Sequence, residues 1–232
     1  LALPGLLLAT ALAVALQAET GRGLNAADWS AIRFTLWQAA LSALISVLFA
    51  IPVARALARR RFPGRGALIT LLGAPFLLPV IVATFGLIAI FGRSGWANAA
   101  LEALGVPTVS IYGAHGVILA HVFFNMPLAP RLILQGWQDL PAERTRLAAS
   151  LDFDAAAVQR HLEWPMLKRT VPGALLIIFV ICTTSFAVAL TLGGGPRATT
   201  VELAIYQALR FEYDLARAAL LSLLQLAITA VA

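Results

Sequence analysis

A single cysteine, Cys182, stands in a chain of 232 residues, and it falls inside a long apolar run. One thiol can form neither an intrachain disulfide nor the multi-cysteine cage of a structural zinc site, and its plain reading is a small buried apolar residue. Histidine is nearly as scarce. His115, His121 and His161 lie in different elements and supply no ligand set, so neither a metal nor an acid–base cluster is expected. The one glycine run, 193–195, is followed by Pro196 and Arg197 rather than by Lys and Ser or Thr. That excludes a phosphate-cradling loop, so no ATP hydrolysis by this chain and no cofactor are expected. Charged residues make up only 12%.

What the chain does hold is hydrocarbon: 60% of residues are hydrophobic and the mean hydropathy is +0.87. This is the composition of an integral membrane protein. Continuous apolar runs occupy 2–18, 34–53, 67–91, 116–134, 171–192 and 215–232. At about 1.5 Å per residue, runs of roughly 17 to 25 residues cross a hydrocarbon core of about 30 Å as helices. An all-α, polytopic fold of about six transmembrane helices follows. A β-barrel would read as short alternating segments, and these runs are continuous and rich in Leu and Ala. The first run lacks a basic leader and more spans follow it, so it is read as a helix and not as a removable signal. No connection is long and polar enough to build a soluble core, and residues 1–232 are read as one transmembrane domain. The chain opens on Leu1 and closes on Ala232 within an apolar run, which suggests a piece of something longer.

The cations orient it. Arg55, Arg59, Arg60, Arg61 and Arg65 fall in one connection, and Arg131, Arg144, Arg146, Arg160, Lys168 and Arg169 around another. These are most of the 17 Lys and Arg, all on one side. The other side carries Arg22, Arg33, Arg93, Arg197, Arg210 and Arg217, offset by Glu19, Asp28, Glu102, Glu202, Glu212 and Asp214. The positive-inside rule then places both termini and the long polar connection in the cytoplasm. The net charge of +6 sits at membrane edges, where topology and anionic lipid account for it, so lipid and not nucleic acid is the expected partner.

The polar connection 138–169 is longer than a turn between helices requires, which marks it as a docking surface. Pro141 suits a first helical turn and Glu143 its positive end. Leu147 and Leu151, four apart, share a face with Ala148 between them. A second short helix is expected from an Asp154 N-cap through Ala155, Val158 and Leu162. In order, Arg146, Leu147 and Ala148, then Asp152, then Leu162, Trp164 and Pro165 hold a fixed spacing.

That spacing resembles the cytoplasmic loop of type I ATP-binding-cassette importer permeases, which reads E-A-A, three residues, G, nine residues, I-x-L-P. Arg146 stands where the family has an acid and Asp152 where it has a glycine. The stretches RRRFPGR, AHVFFNMPLAPRLILQ, EWPML and TLGGGPRATTVELAIYQAL, in that order, are similar to the permeases of bacterial thiamine importers. Permeases for ferric iron share the general plan and are the nearest alternative. A channel or membrane enzyme with the same spans is the alternative from another class, and it would lack an ATP-binding partner.

The resemblance implies an inner-membrane permease with two homologous halves, of which this chain has the length of one. A second half, or a second copy, would complete the path. A periplasmic binding protein would deliver substrate and two ATP-binding subunits would dock on the loop. Arg146, Leu147, Ala148, Leu151, Asp152, Leu162, Trp164 and Pro165 are the expected coupling residues, and alternating access the expected mechanism. For the path itself, Asn125 and the cluster Thr183, Thr184 and Ser185 are candidates, because polar groups are costly in the bilayer. Thr and Ser can equally return a hydrogen bond to their own helix. No carboxylate or aromatic cage for a cation is evident among Phe123, Phe124 and Phe186, so selectivity is expected largely in the separate binding protein.

Overall fold

The computed structural model describes residues 14, 16, 23–72, 79–193, 195 and 198–231. Among them the regular elements are helical. Alongside a buried apolar core, large apolar side chains face outward and several polar ones are enclosed. Leu44, Leu48 and Phe49, and likewise Val82 and Phe85, point outward, while Thr35, Gln38, Ser42, Ser46, Thr84, His121 and Asn125 are buried. Apolar side chains outside and hydrogen-bonding ones inside are what a lipid solvent selects. Among the described residues four helical stretches, Ala26–Arg59, Val80–Ala103, Ala114–Gln138 and Ala155–Thr183, are long and apolar enough to cross a membrane. The chain is a multi-pass membrane protein.

In chain order the helices are α1 (Ala26–Arg59), α2 (Arg65–Leu71), α3 (Val80–Phe91), α4 (Trp96–Ala103), α5 (Ala114–Asn125) and α6 (Leu128–Gln138). They continue with α7 (Ala142–Ser150), α8 (Ala155–Val158), α9 (Trp164–Thr183), α10 (Phe186–Leu192), α11 (Val201–Gln207) and α12 (Leu215–Val231). Two compact units result. One unit, called the docking unit after the expected docking connection it carries, comprises Leu41–Pro79 and His121–Phe179; the terminal unit takes the remainder.

Four expected boundaries shift, each for a physical reason. The span expected at 34–53 extends at both ends into α1, about 51 Å at 1.5 Å per residue and so longer than the hydrocarbon core. Its start is a reciprocal cap: Asn25 N–H donates to Asp28 Oδ2 and Asp28 N–H to Asn25 Oδ1, each at 2.9 Å. The run at 67–91 is not described as one helix. It contains α2, the undescribed residues 73–78, and α3, which starts directly behind Pro79. The run at 171–192 is broken between α9 and α10 at Thr184 and Ser185. The second short helix expected after Asp154 is not separate, because α8 passes through a widened π turn at Gln159–Glu163 directly into α9. The first apolar run, 2–18, lies outside the described residues apart from Val14 and Leu16.

Within the terminal unit, Ala31 and Ile32 of α1 pack on Val201 and Ala204 of α11 and Leu221 of α12. Thr35 Oγ1 accepts the Val201 N–H at 2.9 Å, giving α11 an amide partner from α1. Asn98 ties the segment after α3: its amide donates to the Gly92 and Val109 carbonyls at 2.8 and 2.9 Å and accepts from Val109 N–H. In the docking unit, a Cβ at Gly136 would stand 2.5 Å from Met166 Sδ and Thr170 Oγ1. Only hydrogen fits where α6 crosses α9.

Candidate functional site: the docking loop and its buried carboxylate

The docking loop is built from local rules. α7 carries Glu143 in its first turn and exposes Arg146, Leu147 (59%) and, just beyond its end, Leu151 (57%), while Ala148 is buried against the unit. Two large aliphatic side chains kept in the open are unusual on a polar connection and suit contact with another protein. The helix stops in a Schellman-type turn: Phe153 N–H reaches the Ala148 carbonyl at 3.0 Å and Asp152 sits between them at φ 48°. This left-handed residue occupies the position at which the resembled pattern has glycine. Asp adopts the region at a lower cost than most residues.

The chain then restarts at Asp154, whose Oδ1 accepts the Ala157 N–H at 2.7 Å as the expected N-cap. The π turn that follows has a sequence cause in Pro165. Its ring crowds the carbonyl four residues back, at His161, and it has no N–H to give, so the turn upstream widens. Leu162 is half-buried, and Trp164 and Pro165 are exposed.

At the base of the loop stands a group the sequence reading passed over. Glu163, 3% exposed, accepts the Arg59 Nε–H at 2.7 Å on Oε1 and forms an ion pair with Arg55, whose Nε stands 2.9 Å from Oε2 without hydrogen-bond geometry. Trp137 Nε1 approaches Oε1 at 3.4 Å, and Arg55 Nη2 donates to Gln159 Oε1 at 2.9 Å. One carboxylate thereby joins α1, α6 and the π turn. The arginines were read only as topology-setting charges; their spacing of four on one helix face was the available signal.

Asn125, in the docking unit, is buried and donates to the His121 carbonyl one turn back at 2.8 Å. In the terminal unit the Thr183 and Thr184 hydroxyls both return to the Val180 carbonyl, at 2.8 and 3.2 Å, and Thr184 also to Ile181 at 3.3 Å. These bonds compete with the helix ladder and accompany its break. Ser185 is half-buried and heads α10. The break frees carbonyls that buried side-chain amides then take: Gln38 Nε2 donates to Cys182 O and Gln225 Nε2 to Thr183 O, each at 2.9 Å. Both glutamines escaped the sequence reading, though a lone Gln in an apolar helix was the visible clue. Phe186 packs on Tyr206, ring centres 5.2 Å apart, and Phe123 edge-on against Phe124 at 5.6 Å. At the start of α12, Arg217 Nη2 meets the fully buried Asp28 Oδ1 at 2.7 Å and also pairs with Glu212. Among the described residues no group of His, Cys, Asp and Glu is arranged to hold a metal ion.

No protein-family model matches the chain. It is 53% identical over 199 residues to the thiamine transport system permease protein ThiP of Escherichia coli (strain K12), covering 85% of this chain and 37% of that protein. Over 226 residues it is 49% identical to ThiP of Brucella abortus (strain 2308), covering 94% of this chain and 41% of the relative. The chain thus spans about two fifths of the length of the curated relatives it matches. Among solved structures, a bacterial alginate ABC transporter in complex with an alginate pentasaccharide-bound periplasmic protein superposes with a TM-score of 0.73 at 16% identity. That superposition covers 87% of this chain and 74% of the other and shows a shared permease fold.

Proposed function

We infer the role of this chain from its family, for it belongs to the membrane permeases of ATP-binding-cassette transporters, alongside the thiamine transport permeases. In our reading it forms part of a path that carries thiamine or its phosphates across the inner membrane by alternating access. The observation that carries the mechanism is the docking loop itself. A short helix offers Leu147 and Leu151 to the outside and turns at Asp152, and a second helix then runs without interruption from Ala155 to Thr183. A partner that grips α7 pulls on the adjoining helix, and a two-state bundle converts that displacement into exposure of one side or the other.

In this assembly ATP hydrolysis belongs to a separate subunit docked at 142–165, and the coupling contacts are Arg146, Leu147, Ala148, Leu151, Asp152, Leu162, Trp164 and Pro165. A periplasmic binding protein delivers the cargo and a second permease half, or a second copy, completes the path. The cation distribution orients the docking loop and both termini of this segment to the cytoplasm. Asn125 and the break at Thr183, Thr184 and Ser185 are the polar groups proposed for the path, since interrupted membrane helices are where transporter sites form. The thiamine assignment is supported by near 50% identity to permeases so named. Uptake of labelled thiamine in cells lacking the gene, with and without the complete transport operon, tests it. Restored uptake is expected; unrestored thiamine uptake in cells that regain iron uptake instead contradicts it.

A further inference from the structure

We propose that Glu163 is the positioning residue through which the docking loop moves α1, with Arg55 and Arg59 as two rungs that it engages. The inference rests on reading 138–169 as the loop that a motor subunit pulls. The two arginines lie four residues apart, one helical turn of about 5.4 Å along α1. Glu163 gives one oxygen to each, and its side chain is 4% exposed against 35% and 37% for the two arginines. The carboxylate is fixed and the guanidinium groups reach in from the surface. A buried carboxylate stripped of its cations is strongly disfavoured, so the helix that carries Glu163 cannot shift along α1 without keeping at least one arginine.

Three features make this a transmission element and not a passive brace. The helix holding Glu163 is continuous from the docking loop into the membrane span, so displacement of the loop is carried to Glu163 along one helix. The π turn at Gln159–Glu163 brings both Gln159 and Glu163 to α1, where each engages Arg55. Space also flanks the ion group. A cavity of about 550 Å³ lies beside Arg59, Arg65, Trp137 and Leu162. Another of about 380 Å³ lies beside Arg55, Gln159, Trp164 and Lys168. The arginine heads therefore have room to follow the carboxylate. A one-turn displacement exchanges the shared state for one held by a single arginine, a discrete step of the kind packed helices make.

The test is the ratio of ATP hydrolysed to labelled thiamine imported, measured on the complete importer in liposomes. Glu163→Gln keeps shape and removes charge. The expected result is that the ATP-hydrolysing subunit still binds while the ratio rises roughly fivefold or more, the lower range of coupling between sites. A purely structural role scales hydrolysis and import together with the amount of folded importer, and an unchanged ratio overturns the proposal. If Glu163→Gln does not assemble, Arg59→Lys and Arg59→Gln decide: a normal ratio for the first with a raised one for the second supports it, and equal ratios overturn it. Absence of thiamine import by the unaltered importer contradicts the substrate reading instead. In that case spin labels at Arg60 and Asp154 read the proposal directly. An ATP-driven distance change that Glu163→Gln abolishes supports it, and one that persists overturns it.

Discussion

Arg217, at the start of α12, holds the fully buried carboxylate of Asp28 at 2.7 Å across 189 residues of sequence. The same Asp28 caps the first turn of α1 through Asn25, so one side chain starts one helix and anchors another.

Removing Arg217 leaves the buried Asp28 carboxylate without its counter-ion. Arg217→Ala is expected to destabilise the protein by about 3 to 5 kcal/mol, the range for breaking a buried pair. Asp28→Asn, which retains a capping side chain, leaves Arg217 with Glu212 and should cost less. A double-mutant cycle of thermal unfolding in lipid nanodiscs measures this, and additive single-variant losses contradict it.

The helix break between α9 and α10 depends on side-chain amides. Gln225→Leu removes the donor to the Thr183 carbonyl and is expected to cost about 1 to 3 kcal/mol, the penalty for a buried acceptor left unsatisfied. Gln225→Glu, which exchanges the donor for an acceptor, should be worse. Unfolding midpoints of the two variants against the parent check the order.

Asp152 keeps a left-handed conformation that glycine adopts without a Cβ penalty. Asp152→Gly should therefore be neutral to stabilising, by up to about 1 kcal/mol, and Asp152→Val destabilising by a larger amount. Thermal unfolding separates the two, and equal effects contradict the assigned turn.

Burial raises the Glu202 carboxyl above its ordinary value, opposed by the Phe186 backbone amide. A carboxyl raised in the folded state favours folding in its protonated form, so this contribution is present at low pH and is lost as pH rises through the folded value. Glu202→Gln should raise the unfolding midpoint at neutral pH and flatten its dependence in the weakly acidic range. A midpoint that falls at neutral pH contradicts this.

The membrane class, most helix positions and the spacing of the docking loop were legible in the sequence because they depend on local rules. Leu147 and Leu151 declared a helix face, Asp154 a cap, and 60% hydrophobic residues a lipid solvent. What escaped depended on partners distant in the chain. Glu163 reads as an ordinary loop acid until Arg55 and Arg59, 104 or more residues earlier, are folded against it. Gln38 and Gln225 acquire meaning only beside carbonyls at a helix break that Thr183 and Thr184 help to produce. The continuity of α8 with α9 was hidden because the apolar run begins only at 171, while the helix continues through the polar residues before it by way of a π turn. Nothing in the structure explains why Arg146 stands where the resembled pattern has an acid.

The central claim, that α7 is the grip of an ATP-hydrolysing subunit, is tested by replacing Leu147 and Leu151 together with Asp and following copurification of that subunit and thiamine uptake. Both side chains are exposed, so the permease itself should remain folded. Loss of the copurifying subunit and of uptake at normal permease abundance is the predicted result; retention of both contradicts the account.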